Sequence, residues 1–271
     1  MLGNRVGHVR PARLSARCGG LSRVPLTGPA LPVRRLRADD REPVPGGAWF
    51  ARVPAVAQVL RDGWDLGPAT VLVGENGAGK STLVEALAMA FGMGAEGGST
   101  GAWAETRASE SALWRHLSLE RGAGGSRRGF FLRAETMHGF YTYLEENPRL
   151  GGPPDTAFHE MSHGESFLEL AVSRMRGRGL YVLDEPESAL SFTGCLALLA
   201  HLRGLLAGGA QVVLSTHSPL LAALPGARVV EVGDWGLRET AWEDADLVQS
   251  WRGFLAAPER YLRRLDDPGG A

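Results

Sequence analysis

Apolar residues in this chain fall into two kinds of run, and the difference between them predicts its elements. Short stretches, apolar apart from an opening Thr70 or Gln211, occur at 70–73 (Thr-Val-Leu-Val), 180–183 (Leu-Tyr-Val-Leu) and 211–214 (Gln-Val-Val-Leu). Strands look like this when both faces of a sheet are covered. Residues 81–91, 166–175 and 196–206 instead place apolar positions at helical spacing or concentrate good helix formers. Strands and helices alternate, so the pattern predicts an α/β fold of three layers, with helices on both faces of a mainly parallel central sheet. Weaker signals predict helices at 109–119 and 137–146, a strand at 129–133, a strand pair flanking Gly236 (228–232 and 237–240), and a terminal helix at about 244–265. Glycines return at 92–101, which predicts a loop.

Charge adds an asymmetry. The formal net charge is −1, which gives no global attraction to nucleic acid or to an anionic membrane. From Met1 to Ala38 there is nevertheless no acidic residue, while Arg5, Arg10, Arg13, Arg17, Arg23, Arg34, Arg35 and Arg37 are all basic. This stretch shows neither helical nor strand periodicity. Residues 1–47 are therefore expected to be a basic, Gly/Pro-rich disordered tail, and 48–271 the folded domain, opening at Trp49 and Phe50. Removal of residues 1–38 is expected to leave activity intact. No stretch reaches the roughly 18 consecutive apolar residues of a membrane span, so no membrane insertion is expected and the cytoplasm is the default location. Cys18 and Cys195 form no metal pattern and suggest no disulfide framework.

Isoleucine is absent, arginine is abundant, and Lys80 is the single lysine of the chain. It lies in Gly74-Glu75-Asn76-Gly77-Ala78-Gly79-Lys80-Ser81-Thr82, directly after the first predicted strand and at the start of a predicted helix. Glycines at 74, 77 and 79 let a backbone wrap closely enough to aim N–H groups at phosphate oxygens, with a helix N-terminus behind them. A compact ammonium suits the slot between β- and γ-phosphates, where a planar guanidinium does not fit. Ser81 supplies a hydroxyl for Mg²⁺.

Three further motifs follow. The strand at 180–183 ends in Asp184-Glu185-Pro186. A buried strand delivers Asp184 to the carboxyl edge of the sheet, where it can hold Mg²⁺ through water, and Glu185 is placed to polarise an attacking water. Ser162-His163-Gly164-Glu165 precedes an apolar helix; it reads both as a capping box and as an anion-grasping helix start. After the strand at 211–214 comes Ser215-Thr216-His217-Ser218, which brings His217 to the same edge, able to contact a γ-phosphate.

In this order the motifs resemble those of the ATP-binding-cassette (ABC) ATPases: Walker A at 74–82, a signature-like 162–165, Walker B at 180–185, a D-loop position at 188–191 and a switch histidine at 217. The resemblance covers about 50–225. It implies ATP and Mg²⁺ as ligands, Lys80, Glu185 and His217 as catalytic groups, and a head-to-tail homodimer in which Ser162 and Gly164 bind nucleotide in trans. About eighty residues separate Ser81 from Ser162, too few for the coiled-coil arms of the repair ATPases. The chain looks most similar to compact stand-alone predicted ATPases related to the chromosome-maintenance, double-strand-break-repair and overcoming-lysogenization-defect proteins, which share the Phe-Leu-Arg-Ala-Glu element seen at 131–135.

Departures accompany the likeness. His163 stands where the family has glycine and Ser191 where it has aspartate; Glu135 is the candidate for the Q-loop contact to metal, and Trp49 and Phe50 lie where an adenine-stacking aromatic is expected. The implied function is ATP-driven action on a partner protein or on DNA, as in DNA double-strand break repair or DNA maintenance. Arg121, Arg127 and Arg128 join the basic tail as candidate phosphate contacts for DNA, a mode that would be strongly salt-dependent. The alternatives are the nucleotide-binding subunit of a transporter, and a nucleotide-dependent regulator or defence sensor acting with a toxin or nuclease.

Overall fold

The computed structural model describes residues 30–101, 111–135 and 163–263. In chain order these form β1 (Arg35–Ala38), α1 (Pro54–Asp62), β2 (Trp64–Asp65), β3 (Ala69–Val73), α2 (Lys80–Phe91), β4 (Gly98–Ser99), β5 (Leu117–Glu120) and β6 (Gly129–Arg133). Then come α3 (His163–Arg174), β7 (Leu180–Asp184), α4 (Phe192–Ala207), β8 (Gln211–Ser215), α5 (Pro219–Ala222), β9 (Arg228–Gly233), β10 (Gly236–Thr240), α6 (Asp246–Ala256) and α7 (Pro258–Leu262).

Seven strands form the central sheet in the order β10-β9-β3-β8-β7-β6-β4. The five inner strands are parallel, and β10 and β4 close the edges antiparallel. Side chains alternate across a strand, and the core divides accordingly. Val71, Val73, Phe130, Leu132, Tyr181, Leu183, Val212 and Leu214 face the layer that contains α3, α4, α5 and α6. Leu72, Phe131, Leu180, Val182 and Val213 face α1, α2 and the first strands of the chain. β3, β7 and β8 are buried along their whole length, which is why they read as near-continuous apolar runs.

The expected boundary at residue 47 is corrected by β1. Val33 and Leu36 are fully buried, and β1 pairs antiparallel with β2 and β5 in a small second sheet. The Gln211 carboxamide ties this segment to the main sheet: Nε2 donates to the Val33 carbonyl (2.7 Å) and the Gly67 carbonyl (2.9 Å), and Oε1 accepts from the Val33 N–H (2.9 Å). Four residues between arginines and aspartates carry too little periodicity to announce a strand; long-range pairing decides it.

Two helix expectations change as well. Within 109–119, the described part is a short 3₁₀ helix at Ala112–His116 running into β5, because Leu117 and Leu119 alternate against β1. The terminal helix is broken into α6 and α7 at Ala257, before Pro258, whose ring cannot continue a helix. The helix expected at 137–146 lies outside the described residues. Among the described residues, no helix is long and apolar enough to cross a membrane.

Candidate functional site

The loop between β3 and α2 is shaped by its glycines. Gly74 has φ +144°, and a Cβ there would lie 2.2 Å from the Val232 carbonyl oxygen, so only glycine lets the chain turn against β9. Gly79 is the left-handed N-cap of α2, its α-carbon against Val53. Lys80 is buried at the first position of α2; its Nζ donates to the carbonyls of Gly74 (2.8 Å) and Glu75 (2.9 Å). Burial lowers the ammonium pKa, and the nearby carboxylates of Glu185, Asp184, Glu187 and Glu75 oppose that shift. Glu75, Asn76 and Gly77 are exposed, while Ala78, Ser81 and Thr82 are half-buried.

β7 and β8 bring the acidic and histidine motifs to the same edge. Asp184 ends β7 in a buried position, where it accepts from Ser215 Oγ at the end of β8 and from the Ser81 hydroxyl at the start of α2. Burial raises its pKa; the Ser215 bond, Arg133 and the Ser81 bond pull it back down. Glu185 is the only non-glycine residue with positive φ among those described (φ 47°, ψ 50°), directly before Pro186. Its N–H donates to the Ser215 carbonyl (3.0 Å), and its Oε1 lies 3.3 Å from His217 Nε2. An uncommon backbone angle at the residue carrying the second carboxylate is the kind of local strain that functional sites hold.

A cleft of about 660 Å³ opens beside the loop, lined by Gly74–Ala78, His217, the β9–β10 turn and α6, with Trp235 and Trp251 at its rim. Phe50 is buried and stacks on His116 (centroids 5.9 Å apart), which removes it from base stacking; Trp49 is 57% exposed. Gly164 sits at the start of α3, where a Cβ would come within 3.3 Å of the Ala189 carbonyl oxygen. It lines a separate hollow with Ala189, Leu190 and Ser191, and that hollow shares no residue with the cleft beside the loop. Ser162 lies outside the described residues.

Arg133, at the end of β6, is the participant that sequence reasoning passed over. Its guanidinium reaches Glu85 Oε2 on α2 (2.9 Å), Glu135 Oε2 (3.2 Å) and Asp184 Oδ2 (3.6 Å). Glu135, expected as a metal ligand, has an 80% exposed side chain paired to Arg133, and the arginine rather than the glutamate lies against Asp184. Glu187 and Ser215 were also missed. Their signal was present in the Asp-Glu-Pro-Glu run and in the serine that ends β8, but carboxylates and hydroxyls at strand ends are too common to single out without the fold.

Residues 69–136 and 151–223, more than half of the chain, match the family described as "AAA domain, putative AbiEii toxin, Type IV TA system". The chain belongs to this family. As the order of its motifs and its sheet indicate, this AAA domain is an ABC-type P-loop ATPase domain. Curated relatives include the cytochrome c biogenesis ATP-binding export protein CcmA of Pseudomonas fluorescens, 35% identical over 89 residues, which are 32% of this chain and 42% of that protein. An uncharacterized ABC transporter ATP-binding protein of Haemophilus influenzae is 26% identical over 180 residues, covering 59% and 67% of the two chains. The chain spans only about two fifths of the length of the first curated relatives it matches. Similar solved structures include the SMC head domain from Thermotoga maritima (15% identity, 66% of this chain and 92% of that one, TM-score 0.37). A dimeric bacterial ABC transporter cassette has the same identity and TM-score, over 66% and 88% of the chains.

Proposed function

We propose that this AAA domain binds ATP with Mg²⁺ and hydrolyses it, and that it does so as a homodimer. The observation that carries the reading is the convergence of Lys80, the Asp184–Glu185 pair and His217 at the carboxyl edge of three adjacent strands, β3, β8 and β7. The backbone of Gly74–Thr82 cradles the phosphates, and the Lys80 ammonium exchanges its two carbonyl partners for β- and γ-phosphate oxygens. Ser81 Oγ and Asp184, already in contact, are hard oxygen donors suited to Mg²⁺. Phosphate oxygens and water would complete the shell of such an ion. The metal would supply neutralisation of charge on the β- and γ-phosphate oxygens. Glu185 accepts a proton from the attacking water, and His217, 3.3 Å from it, contacts the γ-phosphate and orients the glutamate. Trp49 offers an exposed ring for the base.

The homodimer is what the ABC-type resemblance implies, with Ser162 and Gly164 binding the nucleotide of a second copy. The hollow beside Gly164 and the cleft beside the phosphate loop have separate linings, which supports that reading. Closing and opening of that dimer would act on a partner, with DNA or a protein as the candidates. The transporter reading is carried by the curated relatives, which are ATP-binding proteins of export and ABC transport systems. Membership of a family described as a putative toxin of a toxin–antitoxin system supports the reading as a regulator or defence protein.

One experiment separates these readings: ATPase rate per subunit across protein concentration, alone, with linear duplex DNA at low salt, and with membranes bearing a genomically adjacent permease. A rate per subunit that rises with concentration is expected. Lys80→Ala loses ATP binding, and Glu185→Gln keeps binding while turnover falls by about 10²- to 10⁴-fold. Stimulation by DNA or by the permease chooses between the partner classes. Absence of both turnover and a Mg-ATP-dependent rise in Tm overturns the proposal.

A further inference from the structure

Two loops carry the chemistry at the γ-phosphate end, and the Glu187 side chain ties the backbone of one to the other. Glu187 belongs to the loop after β7, in the 3₁₀ turn Pro186–Ala189 that follows Glu185. His217 belongs to the loop after β8. On either side of it, the Thr216 N–H donates to the Leu72 carbonyl (3.0 Å) and the Ser218 N–H to Thr216 Oγ1 (2.9 Å). The His217 N–H donates across the gap to Glu187 Oε1. The imidazole on that backbone then presents Nε2 at 3.3 Å from Glu185 Oε1.

The other oxygen, Glu187 Oε2, is buried and has no hydrogen-bond partner among the described residues; the same holds for His217 Nε2. Buried carboxylate oxygens are almost always hydrogen-bonded, so an unsatisfied one at this position calls for an explanation. Glu187 also adds to the negative field that opposes the lowering of the Lys80 pKa, which places it within electrostatic reach of the phosphate loop.

We propose that Glu187 is a positioning residue for hydrolysis: by holding the His217 backbone amide, it fixes the imidazole opposite Glu185 at the γ-phosphate end. The assignment rests on the ATPase reading above. Glu187 touches neither phosphate nor water in this role; it acts through His217.

The test is a set of variants read by steady-state kinetics, by binding of a fluorescent ATP analogue, and by the NMR shift of the His217 backbone amide proton. Glu187→Ala is expected to lower kcat by about 10- to 100-fold while KM and analogue affinity stay within about 3-fold. Glu187→Gln keeps an acceptor oxygen for the same N–H and is expected to recover most of that loss. In His217→Ala/Glu187→Ala the loss should not exceed that of His217→Ala alone, because the two act as one unit. A Glu187→Ala enzyme with wild-type kcat, a glutamine variant as slow as the alanine one, or additive losses in the double variant would overturn the assignment. The amide shift is independent of turnover: it should move upfield in Glu187→Ala and stay in place in Lys80→Ala. An unmoved amide removes the Glu187 bond even if the wild-type protein hydrolyses nothing, whereas a moved amide in a protein without ATPase activity places the failure in the ATPase reading.

Discussion

A carboxylate at the end of a fully buried strand stays charged only against desolvation, and Asp184 is such a group. Its folded-state pKa is raised, with burial the largest cause and the Ser215, Arg133 and Ser81 contacts opposing it. Below about pH 4, the ordinary aspartate value, folded and unfolded chains both carry the proton and nothing is lost. As pH rises from there through the raised folded value, the unfolded chain ionises first, so the folded state loses stability and carries the full burden at neutral pH. Asp184→Asn should therefore raise the Tm of metal-free, nucleotide-free protein at pH 7.5. The gain should shrink as pH falls toward 4. Added Mg-ATP should reverse the order, stabilising the wild type more than the variant. Calorimetry in chelator and then in excess Mg-ATP reads all three, and equal Tm values at pH 7.5 would show that Asp184 is not under strain. Arg133 fits the same picture: a guanidinium against the outer oxygen of a buried carboxylate offsets part of its desolvation.

At the scale of the element, the phosphate loop separates glycines needed for space from glycines needed for backbone angle. Gly74→Ala faces both a positive φ and the Val232 carbonyl oxygen at 2.2 Å, so the loop and β9 have to part. Gly77 has φ +79° with nothing within 4 Å of an added Cβ. Gly74→Ala should destabilise by about 2–4 kcal/mol, and Gly77→Ala by about 1–2 kcal/mol from the left-handed backbone alone. Urea midpoints measure the difference; equal losses would mean that the contact with β9 does not hold the loop. This β9 contact was hidden in the sequence, whereas β3, β7 and β8 were plain in it. Near-continuous apolar runs report burial on both faces, which is a local consequence of a covered sheet. β1, the 3₁₀ turn at Ala112–His116 and the break at Ala257 depend on partners far along the chain or on one proline. The site divides in the same way. Lys80, Asp184, Glu185 and His217 sit at the ends of legible strands, while Arg133, Ser215 and Glu187 became apparent only when β6, β7 and β8 were laid side by side.

For the whole molecule, the question is where the folded unit begins. Residues 30–38 have the basic composition of the tail upstream of them, yet Val33 and Leu36 are each fully buried beneath α1 and the main sheet. Burying one such side chain contributes about 1.5–3 kcal/mol. Deleting them also strands Gln211, whose amide would lose two of its three bonds in an interior position. A buried amide left without partners costs about 1–3 kcal/mol more. Loss of β1 further exposes an edge of β2 and of β5, which pair with it alone in their sheet. Set against a typical domain stability of about 5–15 kcal/mol, these terms are large enough to unfold the protein. A chain lacking residues 1–38 should therefore lose its cooperative thermal transition and its nucleotide binding together. A chain lacking only residues 1–29 keeps β1 and its pairing with β2 and β5, and is the comparison for that loss. Thermal denaturation of the two truncations, with and without Mg-ATP, decides the boundary. A cooperative, near-wild-type transition after removal of 1–38 would show that β1 is dispensable and that the folded domain starts at the aromatic pair Trp49 and Phe50.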